Sequence, residues 1–198
     1  MDLLTIIFLT GGLFLGWSLG ANDAANVFGT AVGTRMVRFK TAAIVCSLFV
    51  ILGAIISGSG TTETLSKLGS INALPGAFAA CVAAGLSVYI MTKFGLPVST
   101  TQAIVGAIVG WNLYTGSSTN IKVLITILST WILCPIIAGL IAMFFYTVTK
   151  KLLNNSKLHI LRVDAYTRTA LLLAGAFGAY SLGANNICLL YTSPSPRD

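Results

Sequence analysis

One pentapeptide, Ser-Leu-Gly-Ala-Asn, occurs twice in this chain, each time near the end of an apolar segment. The first copy is Ser18 to Asn22, followed by Asp23; the second is Ser181 to Asn185, followed by Asn186. Polar and ionisable side chains are costly at membrane depth, so a segment carrying them there marks a functional site. Its recurrence predicts an internally duplicated membrane protein with a site where the copies meet.

Composition agrees. Of the 198 residues 56% are hydrophobic and only 9% charged, against about 25% charged in soluble domains. Several apolar runs are long enough to span a bilayer. The expected fold class is an all-α polytopic helical bundle with an inverted-topology repeat, truncated in the second repeat. The net charge of +7 sits in the connections between apolar runs, where cytoplasmic loops collect Lys and Arg. With no basic stripe interleaved with aromatics, nucleic acid is not an expected partner.

The apolar segments run from about Leu3 to Leu19, Thr41 to Ser57, Ala73 to Met91, Pro97 to Tyr114, Val123 to Val148 and Ala170 to Ile187. The first is expected to end at the polar stretch Gly20–Asn26. Residues 97–114 open with Pro97 and a run of hydroxyls, which predicts a broken or re-entrant element. Pro135 predicts a kink. The most basic connections, Arg35–Lys40 and Lys150–Arg168, are expected on the cytoplasmic side. An odd number of crossings then separates the two pentapeptides, so the second copy is inverted. Residues 1–164 are read as the first repeat and 165–187 as the first helix of the second. Ser193-Pro194-Ser195-Pro196 cannot continue a spanning helix, and 188–198 are read as a non-native tail. No basic n-region precedes Leu3–Leu19 and no clean cleavage site follows, so no signal peptide is expected.

Asp23 is the only carboxylate beside the expected core. With Asn22 and Asn26, and with Asn185 and Asn186 of the second copy, it forms a cation-coupling set. These oxygens suit Na⁺ at Asn22 and Asp23; alternatively Asp23 carries a proton. No other metal site and no organic cofactor is expected. Ser99, Thr100 and Thr101 follow Pro97 at a helix start, where free N–H groups, the helix dipole and hydroxyls converge on one oxyanion. A cation-type and an anion-type cluster in one chain point to cation-coupled anion transport, the cation offsetting the cost of a buried anion. Cys46, Cys81, Cys134 and Cys188 are scattered through apolar runs without metal or disulfide spacing and read as buried small hydrophobes. His159 reads as solvated. An intramembrane hydrolase would need a Ser–His, Ser–Lys or paired-Asp arrangement, and none is present; the chain is not read as an enzyme.

The stretches Gly20–Thr30 and Gly95–Gly106, with Gly183–Ile187, resemble the signatures of the inorganic phosphate transporter family. The resemblance covers about residues 1–187. It implies Na⁺- or H⁺-coupled uptake of inorganic phosphate in a lipid bilayer, with Ser99, Thr100, Thr101 and Asp23 binding phosphate. A related sulfate permease, or a truncated chain without transport activity, is the alternative. Gln102 stands where many members have His, and Val50 where many have Glu, so the coupling ion stays open. A bacterial inner membrane is the expected location, and a homo-oligomer is left open.

Overall fold

The computed structural model describes residues 3–58, 67–68, 74–155 and 159–186. They form six helices: α1 (Leu3–Gly33), α2 (Phe39–Ser57), α3 (Leu74–Lys93), α4 (Thr100–Thr115), α5 (Ile121–Asn155) and α6 (Ile160–Asn186). Among the described residues there is no β-sheet. Three helical stretches, Phe39–Ser57, Pro75–Lys93 and Ile121–Asn155, are long and apolar enough to cross a membrane. The tail and most of the loop after α2, including Glu63, lie outside the described residues.

The first segment does not end at Leu19. Helix α1 continues through Gly20–Asn26 to Gly33. Its polar side chains are therefore carried on a continuous helix instead of a loop. At 31 residues it is about 46 Å long, against a hydrocarbon core of about 30 Å. Backbone N–H groups inside a helix are already paired, so a polar run does not by itself interrupt one.

Residues 97–114 likewise contain no break within their helix. The interruption falls just before it, at 94–99. Gly95 adopts φ +72°, the left-handed conformation glycine takes without steric cost. It lets Leu96 N–H return to the Met91 carbonyl at 3.0 Å, closing α3. Pro97 disfavours helical backbone at Leu96. Ser99 is extended, and its Oγ accepts from Gln102 N–H at 3.3 Å as an N-cap. Helices α3 and α4 thus form a hairpin whose tip is 94–99. Its base is tied by Asn120 N–H donating to the Leu68 carbonyl at 3.0 Å.

The hairpin packs along α1. Phe8 meets Phe78 with ring centroids 5.8 Å apart, and Trp17 meets Tyr89 at 5.7 Å. Numbers rise together on the two helices, so α1 and α3 run parallel. The core here is Leu15, Leu68, Ala84, Ile104 and Ile108. A second core joins Phe28 and Ala31 of α1, Ala42 and Cys46 of α2, and Ala179 of α6. Phe28 lies against Gly175 and Val27 against Gly178. Here numbers run oppositely, so α6 passes α1 antiparallel, as the inverted copies require.

Helices α2 and α6 approach each other closely, backbone to backbone, at two glycines. The Cα of Gly53 abuts the Tyr180 carbonyl, and the Cα of Gly183 abuts the Val50 carbonyl. A Cβ at either glycine would collide with main chain. Small residues at such contacts are how membrane helices gain packing without a hydrophobic driving force.

Helix α5 is one 35-residue helix containing Pro135, and none of its residues is buried. Only its first turns, from Val123 to Trp131, lie on the core. Cys134 is consequently exposed, which corrects its reading as a buried residue; Cys46 and Cys81 are buried. His159 is exposed.

Candidate functional site

The hairpin tip meets α1 at Asn22 and Asp23. Asn22 is 5% exposed. Its Nδ2 donates to the Val98 carbonyl at 2.6 Å and to Asp23 Oδ1 at 2.7 Å. Its Oδ1 accepts from Thr92 Oγ1 at 3.4 Å. One amide therefore bridges α1, the end of α3 and the tip. It reaches these partners because Asn22 projects from a helix that the hairpin lies against along its length.

Asp23 turns toward α4. Its Oδ2 accepts from Thr100 Oγ1 at 3.2 Å. Both carboxylate oxygens are thus hydrogen-bonded, one to each neighbour. Thr100 is the first residue of α4 and is buried.

From the other side comes the end of α6. Asn185 Nδ2 donates to Thr101 Oγ1 at 3.3 Å, and Thr101 Oγ1 donates to Asn186 Oδ1 at 3.5 Å. Asn186 is buried, with its Nδ2 on the Leu182 carbonyl at 3.0 Å. The second pentapeptide copy therefore reaches the hydroxyl run directly.

Between these elements lies a cleft of about 470 Å³. Asp23, Asn26, Ser99, Thr100, Thr101, Asn185 and Asn186 line it, together with Val27, Pro97, Val98 and Leu182. The structure brings all of these expected site residues to one place. Asn22 does not line the cleft; it stands behind, holding Asp23 and the tip. Sequence reasoning missed Thr92 and the Val98 carbonyl. Thr92 ends an Ala-rich helix with no motif around it, and a carbonyl leaves no mark in a sequence.

The chemistry of the cleft is mixed by design. The first-turn N–H groups of α4 have no partner within the helix, and the helix dipole adds partial positive charge there. Hydroxyls of Ser99 and Thr101 stand beside them. Facing them are a carboxylate and amide oxygens, which suit a hard cation. Among the described residues there is no cluster of three or more His, Cys, Asp or Glu side chains that could hold a metal.

A family model described as the phosphate transporter family matches residues 19–175, which contain α1 from Leu19 onward, the hairpin and α6 as far as Gly175. The chain belongs to the phosphate transporter family. A protein of Pyrococcus furiosus named as a phosphate permease is 36% identical over 166 residues, covering 79% of this chain and 40% of that protein. A sodium-dependent phosphate transporter of Plasmodium falciparum is 32% identical over 169 residues, covering 79% of this chain and 25% of its own. A solved structure titled the sodium-dependent phosphate transporter superposes with a TM-score of 0.73 at 25% identity. That match covers 92% of this chain and 55% of the other. The chain spans about two fifths of the length of the permeases it matches first. Members of this transporter family are not enzymes, as the sequence led one to expect.

Proposed function

We propose that this chain supplies the first repeat and the first helix of the second, α6, of a secondary transporter; α6 begins at Ile160, before the boundary at 164/165 that the sequence suggested. That transporter moves inorganic phosphate across a membrane together with Na⁺ or H⁺. The observation that carries the reading is the hydrogen bond from Thr100 to Asp23, which puts a carboxylate and the anion-attracting start of α4 on one cleft.

The coupling follows from charge. A dianion entering the cleft meets the Asp23 carboxylate. Two like unit charges about 4 Å apart repel by roughly 4 kcal/mol at an effective dielectric of 20. A bound Na⁺, or a proton on Asp23, removes that repulsion. Phosphate occupancy and cation occupancy then favour each other, and linkage makes the effect reciprocal. Asn26, Asn185 and Asn186 complete the oxygen set around the cation. Ser99, Thr101 and the α4 amides hold the phosphate oxygens. Asp23 also offers an acceptor for the proton of HPO₄²⁻, which sulfate lacks. A bacterial inner membrane suits the short loops.

The test is ³²P-phosphate uptake into proteoliposomes holding the full-length gene product. Na⁺ and pH gradients are imposed separately, with sulfate as competitor. Saturable phosphate uptake driven by one gradient and resistant to sulfate is expected. Absence of saturable uptake under both gradients sinks the proposal. Competition by sulfate at concentrations equal to phosphate transfers it to a broader oxyanion permease.

A further inference from the structure

Helix α5 packs on the core only over its first turns, and none of its residues is buried. Its charge is confined to its two ends. Lys122 stands at the start and Lys150 and Lys151 near the finish, and the 27 residues between, 123–149, carry none. At 1.5 Å per residue that uncharged stretch is about 40 Å long. A bilayer measures about 40–45 Å across its hydrocarbon and headgroup layers together. A helix crossing it at an ordinary tilt therefore sets Lys150 and Lys151 among the lipid headgroups of one leaflet, with Lys122 at the opposite surface.

The residues just before the two lysines fit that depth. Phe144, Phe145 and Tyr146 are all exposed, and aromatic rings gather at the membrane interface. The Lys150 ammonium lies 5.7 Å from the centre of the Tyr146 ring, a cation–π contact that holds the charge beside the helix. Helix α6 repeats the pair in reverse order as the chain returns. Arg162 and Tyr166 are both exposed and stand one turn apart on one face. From 150 to 186 five Lys and Arg stand against one carboxylate, Asp164. The excess positive charge is thus met from outside the chain.

We infer that this end of α5, centred on Tyr146, Lys150 and Lys151, is a docking site for the headgroup of an anionic phospholipid. The two ammonium groups meet the lipid phosphate. The acyl chain lies along Ile136, Gly139 and Met143, which precede Tyr146 on the same face. Ile136 and Met143 are exposed, and Gly139 leaves a notch between them. A zwitterionic lipid carries its own cation beside the phosphate and gains less from the lysines; free phosphate has no chain to fill the apolar face. The inference is independent of what is transported and of the coupling ion.

The full 198-residue chain is labelled with 3-fluorotyrosine in uncharged detergent micelles, and the ¹⁹F resonances of Tyr146 and Tyr114 are assigned by single Tyr→Phe variants. The probes are dioctanoyl phosphatidylglycerol, dioctanoyl phosphatidylcholine and inorganic phosphate. Phosphatidylglycerol is expected to shift the Tyr146 resonance saturably, at concentrations at least about tenfold below those phosphatidylcholine needs. Inorganic phosphate is expected to leave it unmoved, and Tyr114 should not respond to the lipid. The double variant Lys150→Gln, Lys151→Gln is expected to weaken phosphatidylglycerol binding about thirtyfold, the effect of removing two cations from an anionic surface. Both lysines are exposed, so the fold is kept. Lys122→Gln, at the other end of the same helix, is expected to change nothing. A Tyr146 resonance that stays fixed at saturating phosphatidylglycerol overturns the inference. Equal affinity for the two lipids overturns it, as does undiminished phosphatidylglycerol binding in the double variant. A shift produced by inorganic phosphate at the same concentrations replaces the lipid site with a free-anion site.

Discussion

Thr100 donates a hydrogen bond to the carboxylate of Asp23 across 3.2 Å, joining residues far apart in sequence. This contact decides how the hydroxyl run is divided. Thr100 has its proton committed to Asp23. Ser99 uses its oxygen lone pair to cap α4 and keeps its proton available. Thr101 faces the asparagines of the second copy. The hydroxyls that looked equivalent in sequence have different neighbours and different duties.

Asp23→Asn in the full-length transporter keeps shape and removes the charge. It should lower coupled uptake by about ten- to a hundredfold, the range for losing hydrogen bonds to a charged group. Expression and helical content by circular dichroism should not change. Uptake at the wild-type rate in this variant would remove Asp23 from coupling.

Asn22→Ala removes the bridge between α1 and the hairpin tip. It leaves the Val98 carbonyl and Asp23 Oδ1 without that donor, a cost of about 1–3 kcal/mol where the site is dry. Amide exchange across 94–99 should accelerate while exchange in α2 and α6 stays constant. Equal acceleration in both regions would show that Asn22 stabilises the chain generally and not the tip.

Gly53→Leu and Gly183→Leu each force a side chain into the facing backbone. Each should lower stability by about 1–3 kcal/mol or more, seen as a lower midpoint in thermal unfolding in detergent. Gly29→Leu, in open space, should leave the midpoint almost unmoved. Equal midpoints for all three variants would contradict the close α2–α6 approach.

Ser99 can be split into its two roles. Ser99→Ala removes the cap and should cost about 1 kcal/mol at the start of α4. Ser99→Asp keeps a good cap but sets a negative charge where phosphate oxygens are expected. Stability should hold while phosphate uptake by the full-length transporter collapses. Retained uptake in Ser99→Asp would exclude Ser99 from the anion site.

Much of the site was legible because the chemistry it uses is rare in apolar segments. A lone carboxylate with flanking asparagines, and three hydroxyls behind a proline, stand out against Leu and Ala. Segment ends were less legible. The first segment was expected to end at Gly20–Asn26, yet α1 runs through it, and tertiary contacts from Asn22 and Asp23 satisfy the polar groups inside the protein. The supporting contact of Thr92 was invisible, because nothing local distinguishes that threonine from others that bond back to their own helix.

The repeated pentapeptide and the placement of charge determined, by themselves, that the chain is helical, membrane-embedded and built from inverted copies. Those properties follow from apolar length, the placement of basic connections and the cost of burying charge, all read directly from the residues. Only the tertiary structure decided that Asn22 braces while Asp23 faces the cleft, and that Thr100 and Thr101 turn to different partners. These depend on which helix lies beside which, and adjacency between helices is fixed by packing that no single segment encodes.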